Sequence, residues 1–89
     1  MKTRHTKKMI TDFKKAIAEW KKSGEEWGKK GDKEMLKVHE DDVEDLNFVL
    51  TLTEEGDYKN AEKRMYNLDT IVRDQVPTEL YEFLSTVAK

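Results

Sequence analysis

The stretch that decides the fold runs from Trp20 to Asp32 and reads Trp20-Lys21-Lys22-Ser23-Gly24-Glu25-Glu26-Trp27-Gly28-Lys29-Lys30-Gly31-Asp32. It contains both tryptophans and three of the four glycines. On either side of it, apolar residues recur at helical spacing. Ser23-Gly24 is typical of a helix end, and Asp32 is typical of the residue that caps the next helix. The sequence therefore predicts a loop between two long helices.

The segment before this loop predicts an amphipathic helix over about residues 6–22. Its apolar residues recur three and four positions apart and so share one face. They are Met9, Ile10, Phe13, Ala16, Ile17 and Trp20. Lys21 and Lys22 lie at the predicted carboxyl end, where the helix dipole favours positive charge.

The segment after the loop predicts a second helix that runs to about residue 55. Its seam consists of Leu36, His39, Val43, Leu46 and Leu50, at spacings of three and four. Near the end of this helix the apolar residues Phe48, Val49, Leu50 and Leu52 point in nearly every direction. A helix that is apolar all round needs many neighbours, so we expect the chain to share its core with copies of itself.

Gly56-Asp57 predicts a tight turn, because glycine suits the left-handed position after a helix and aspartate caps the next one. A third helix is expected over about residues 58–75, and Pro77 ends it before a short fourth helix that Thr78 caps. The fold class is therefore all-α: one domain over residues 1–89, a small bundle of about four helices with a long antiparallel hairpin. Strand alternation is absent.

Composition also favours a shared core. Hydrophobic residues make up 36 % and charged residues 40 % of the 89-residue chain. Ordinary domains have roughly 45–50 % and 25 %. There is no cysteine, which excludes disulfides and thiolate metal sites. Apolar runs are too short for a membrane span, and the basic start does not resemble a secretory signal, so a cytoplasmic location is expected.

Charge is distributed unevenly along the chain. Residues 1–33 carry 11 basic and 5 acidic side chains, whereas residues 34–57 carry 1 basic and 9 acidic ones. A basic N-terminal third predicts an anionic partner, or contact with the acidic middle third of the same or a neighbouring chain. The net charge of −2 and the pI near 5.7 argue against a nucleic-acid partner.

Catalytic and metal chemistry find no support in the sequence. The acidic run over residues 40–45 has no Glu-x-x-His pattern of the kind that di-metal bundles use, so we expect a solvated or partner-facing helix face and no metal. His39 lies on the apolar seam and has no recognisable nucleophile beside it. We predict that the protein is not an enzyme and uses no cofactor.

Trp27 is the best candidate for ligand contact. It stands between charged residues and glycine, where no helical stripe would bury it, although it could also act as a lid on the core. Indole faces stack on nucleobases, and the following lysines can meet phosphate. The predicted ligand-binding set comprises Trp20, Trp27, Lys29, Lys30, Arg4 and Lys8, which all lie in the basic N-terminal third.

In size, all-helical build, hairpin at Gly56-Asp57 and aromatic-plus-lysine segment, the chain resembles the small phage anti-CBASS "sponge" proteins. This resemblance implies a phage protein of the host cytoplasm that sequesters a cyclic dinucleotide signal of bacterial immunity without cleaving it. It also implies a homo-oligomer, a hexamer in the family. The alternative is a helical protein–protein inhibitor or adaptor that uses the acidic face of helix 2.

Overall fold

The computed structural model describes residues 2–87, and the side chains of residues 7–87. The described part of the chain is all-α and has no strand, which confirms the predicted fold class. Its helices are α1 (Lys2–Lys29), α2 (Lys33–Glu54), α3 (Tyr58–Tyr66), α4 (Thr70–Arg73) and α5 (Thr78–Val87). The long helices α1 and α2 pack along each other, α3 packs on α2, and α5 packs on α3 and α1.

The predicted loop at residues 23–31 is wrong, because α1 continues through Gly24 and Gly28 to Lys29. Both glycines face α2 at very short range. A Cβ atom built on Gly24 would lie 2.4 Å from the Cβ of His39, and one built on Gly28 would lie 2.9 Å from the Cδ2 of Leu36. These glycines therefore allow the two helices to approach closely, and the packing offsets the roughly 1 kcal/mol that a glycine costs inside a helix.

The two tight connections use the same Gly-Asp dipeptide. Gly31 and Gly56 have φ angles of 91° and 80°, which a side chain would strain. After α2, the amide of Asp57 donates to the carbonyl of Leu52 (2.9 Å), and the amide of Gly56 donates to that of Thr53 (3.1 Å). This is a Schellman motif, and the predicted turn at Gly56-Asp57 is confirmed.

The same motif ends α1. The amide of Asp32 donates to the carbonyl of Trp27 and the amide of Gly31 to that of Gly28, both at 3.0 Å. The carboxylate of Asp32 then accepts from the amide of Met35 (3.0 Å), which confirms its capping role. The α1–α2 connection is thus three residues long, so these helices form a second antiparallel hairpin.

The third helix, expected over residues 58–75, is interrupted. It ends at Tyr66, and α4 begins only at Thr70. Asn and Asp residues flank the break, and their side chains favour caps and turns over helix interiors. The guanidinium of Arg73 donates to the carbonyls of Tyr66 (2.8 Å) and Leu68 (2.9 Å). This arginine therefore satisfies backbone groups that the break leaves without helical partners.

The buried apolar side chains collect at one end of the molecule, which we call the body. They are Met9, Phe13, Ile17, Leu46, Val49, Leu50, Ala61, Met65, Leu68, Val72, Val76, Leu80 and Leu84. Between Ile17 and Leu46 only Gly24 and His39 are buried. Residues 18–45 therefore form a two-helix arm in which no apolar side chain is fully buried, although the half-buried Trp20 and Val43 pack against the core. The molecule, with its arm, measures 46 × 23 × 19 Å.

Candidate functional site

The two helices of the arm are joined by an aromatic contact. The rings of Trp20 and His39 stack with centroids 4.5 Å apart and planes inclined by 28°. The indole Nε1 of Trp20 donates to a carboxylate oxygen of Asp42 at 3.2 Å. Trp20 therefore faces α2 and reaches the acidic run. Its indole N–H gives the half-buried carboxylate of Asp42 a hydrogen-bond donor, which a polar group away from water needs.

His39 has a packing role at this contact. It is buried, and its Nδ1–H donates to the carbonyl of Met35 at 2.8 Å, which places the proton on Nδ1. Its Cβ lies against Gly24 and its ring stacks on Trp20, so the whole side chain meets α1. The position of His39 on the seam of α2 thus serves the close approach of the helices.

One side of the arm lacks the layer of helices that covers the body. Met9, Phe13, Trp20 and Trp27 recur at spacings of four and seven and so share one stripe of α1. Met9 and Phe13 are fully buried, yet Trp27, farther along the same stripe, is 38 % exposed. The stripe therefore stays apolar at Trp27, where its side chain is no longer buried.

Helix α2 continues this uncovered surface. Met35 and Val49 lie on one stripe, since two intervals of seven residues separate them. Val49 is fully buried in the body, whereas Met35 in the arm is half-buried. Val38 neighbours Met35 on the helix surface and is 49 % exposed. We call the surface formed by Trp27, Met35 and Val38 the open face of the arm.

Carboxylates border the open face on α2. The neighbours of Val38 at three- and four-residue spacing include Glu34, Asp41 and Asp42. An open groove of about 410 Å³ passes Val38, and its lining residues are Lys33, Glu34, Lys37, Val38 and Asp41. Sequence reasoning missed Val38 because it lies off the seam. The signal was present, namely an isolated valine among carboxylates that share its helix face.

The predicted ligand-binding residues are only partly brought together. Trp27 and Lys29 lie on the last turn of α1, and Lys30 follows directly after the helix. The ammonium of Lys30 is 5.2 Å from the centroid of the Trp27 ring. Trp20 turns toward α2 instead. Trp27 belongs to a helix and not to a loop, so its exposure results from the missing covering layer.

Lys8 and Arg4 stand apart from this cluster. Lys8 precedes Trp27 by 19 residues of one helix, a separation of roughly 28 Å. Its ammonium pairs with Asp12 at 3.3 Å and lies 3.9 Å from Glu79. The side chain of Arg4 lies outside the described residues. Within one chain, then, Lys8 lies too far from Trp27 for both to contact the same small nucleotide.

Other classes of site find no support in the described residues. Among residues 7–87, no three His, Asp or Glu side chains are grouped so that they could hold a metal ion. Within the same part of the chain, no helix combines the length and the apolar character that crossing a membrane requires. Comparisons with protein-family models, with curated proteins and with solved structures returned no match for the chain.

Proposed function

We propose that this protein is a non-catalytic helical adaptor or inhibitor that binds a partner protein through the open face of its arm. The observation that carries the proposal is the apolar stripe of α1, which is fully buried at Phe13 and 38 % exposed at Trp27. Exposed apolar surface rimmed by polar groups is typical of interaction sites. Tryptophan is also enriched among residues that dominate binding energy.

The charges of the arm favour a basic amphipathic helix as the partner. Residues 34–45 contain six carboxylates and a single lysine, Lys37. Only Asp42 among these carboxylates has a hydrogen bond to another described side chain. A helix with an apolar stripe would rest on Trp27, Met35 and Val38, and its lysines or arginines would meet the acidic flank. In helix-in-groove recognition, an amphipathic helix likewise lays its apolar face on an apolar surface while its polar face contacts the surrounding residues.

A synthetic amphipathic helix of leucine and lysine is the probe for this function. We expect Trp27→Ala and Val38→Asp each to weaken its binding at least tenfold, about 1.4 kcal/mol or more. Ile71→Ala is the matched control, because Ile71 is 67 % exposed but lies on α4, outside the arm. The measurement is a calorimetric titration. Equal affinity for a leucine–glutamate helix, or no loss in the two arm variants, would remove the proposal.

A second candidate function is the sequestration of a small anionic nucleotide, and the contact of Lys30 with the exposed Trp27 indole favours it. A nucleobase that stacks on the indole would contribute roughly 1–3 kcal/mol of binding free energy, and Lys29 and Lys30 would bind the phosphate. Glu25 and Glu26 on the same turn offset these charges, so a single copy binds weakly. A two-fold homo-oligomer in the host cytoplasm would present the cluster twice, which matches the two bases and two phosphates of a cyclic dinucleotide.

The double variant Lys29→Ala/Lys30→Ala separates the two candidates. If the ligand is a cyclic dinucleotide, this variant should lose the calorimetric signal and the rise in melting temperature that the nucleotide gives the parent. If the ligand is a basic helix, removing two lysines beside the open face should leave the affinity unchanged or increase it. A parent protein that gives no signal with any cyclic dinucleotide rules out the nucleotide candidate alone.

A further inference from the structure

Phe48 exposes a large aromatic surface on the body, at a distance from the arm's open face. The sequence predicted that this end of α2 is apolar on all sides. Within one chain, Val49 and Leu50 are buried, Leu52 is half-buried, and Phe48 remains 48 % exposed. The guanidinium of Arg64 on α3 lies 4.2 Å from the centroid of the Phe48 ring, a cation–π contact that covers one face of the ring.

Two hollows of about 110 and 470 Å³ lie between α2 and α3, and a third of about 260 Å³ lies on α2 alone. All three share Phe48, and together they form one open groove. The polar residues on its α2 wall are Glu44, Asp45, Asn47, Thr51 and Glu55. The polar residues on its α3 wall are Asn60, Lys63, Arg64 and Asn67. Phe48 and Leu52 form the apolar floor. We call this surface the Phe48 groove.

The two walls carry opposite charges, and none of these charges forms an ion pair with another described residue. The α2 wall has three carboxylates and no cation, and the α3 wall has two cations and no carboxylate. The ion pairs of the described residues involve Lys8, Lys14 and their acidic partners only. The carboxylates and ammonium groups of the groove, and the Arg64 guanidinium beside the Phe48 ring, can therefore form ion pairs with groups of another chain.

We propose that the Phe48 groove is a two-fold interface between two copies of this chain. A two-fold axis presents the same patch twice, so a patch binds its own copy only if it is self-complementary. Rotation about a two-fold axis that passes near Phe48 and runs parallel to the groove places the basic α3 wall of one copy against the acidic α2 wall of the other. The two Phe48 rings then bury each other at the centre. An acidic wall, an apolar floor and a basic wall in sequence satisfy that requirement.

Sedimentation of the full chain tests the interface. We expect the parent to sediment as a dimer or a larger assembly at micromolar concentration. Phe48→Glu should weaken the association at least tenfold, because it places two like charges at the axis, and Phe48→Ala should weaken it without adding charge. The control Ile71→Glu changes an exposed apolar residue elsewhere and should associate as the parent does. A monomeric parent, or a Phe48→Glu variant that associates normally, overturns the proposal.

A mixing experiment distinguishes this self-complementary contact from the docking of a different protein. Lys63→Glu/Arg64→Glu makes both walls acidic, and Glu44→Lys/Asp45→Lys/Glu55→Lys makes both walls basic. Each variant alone should be monomeric, whereas an equimolar mixture should restore the parent's sedimentation coefficient. A mixture that stays monomeric while circular dichroism shows both variants folded contradicts the two-fold arrangement. The result does not depend on peptide binding to the arm, so the two proposals fail separately.

Discussion

Gly24→Ala is expected to lower the free energy of unfolding by about 1–3 kcal/mol, the usual cost of forcing extra atoms into a packed contact. In an exposed helix the same change stabilises by roughly 0.5–1 kcal/mol. Here the added Cβ would lie 2.4 Å from the Cβ of His39, an atom fixed to the α2 backbone. Neither atom can rotate away, so the helices must separate, and the stacking of Trp20 on His39 is lost as well.

Gly28→Ala is the matched control for this effect. Its Cβ would meet the Cδ2 of Leu36, the far end of a flexible side chain that can change rotamer. We expect the gain in helix propensity to offset that adjustment to within about 0.5 kcal/mol. Urea unfolding followed by circular dichroism measures both variants. If Gly24→Ala is as stable as the parent, α1 and α2 do not approach each other at this position as described.

Phe13→Ala is expected to cost more, about 3–5 kcal/mol. Phe13 is fully buried in the body, where its ring is among the largest side chains of the core. A domain of this size has a total stability of only about 5–15 kcal/mol, so the variant should be partly unfolded at room temperature or melt far below the parent. The measurement is urea unfolding of the full chain, with the thermal midpoint as a second readout.

Trp27→Ala provides the comparison for Phe13→Ala, because both residues belong to the same stripe of α1. Trp27 lies in the arm, where no helix layer covers it, and we expect a loss below about 1 kcal/mol. A loss from Trp27→Ala as large as that from Phe13→Ala would mean that the indole is buried in solution. The open face of the arm would then be covered.

The sequence predicted the turns and helix caps that depend only on neighbouring residues. The turn at Gly56-Asp57 has a local cause in a left-handed glycine and a capping aspartate, and so does the cap at Asp32. Gly24 was misread because glycine serves two purposes in helical proteins, ending a helix or admitting a close neighbour. Which of the two applies depends on His39, fifteen residues away, and no local pattern reports that contact. The Arg73 hydrogen bonds at the α3–α4 break span only seven and five residues, but no capping pattern in the sequence indicates them.

The candidate site shows the same limit. The sequence predicted a loop around Trp27, and only the continuation of α1 to Lys29 places Trp27 on the stripe of Phe13. Its burial then depends on whether another helix covers that stripe. The pattern of the sequence does not show where α5 stops. Lys8 was grouped with Lys29 and Lys30 by charge alone, whereas the length of α1 separates them. Val38 does not belong to the apolar seam of α2, so helical periodicity did not single it out.

Helices α1 and α2 run from the body to the tip of the arm without a break. The loss of backbone conformational entropy in the arm, roughly 1–2 kcal/mol per residue, therefore occurs when the chain folds and not when a ligand arrives. A partner that meets Trp27 and Val38 finds them already held in place by the contacts of Gly24 with His39 and of Gly28 with Leu36. Preorganisation of this kind lets even a small contact area contribute most of its interaction energy to affinity.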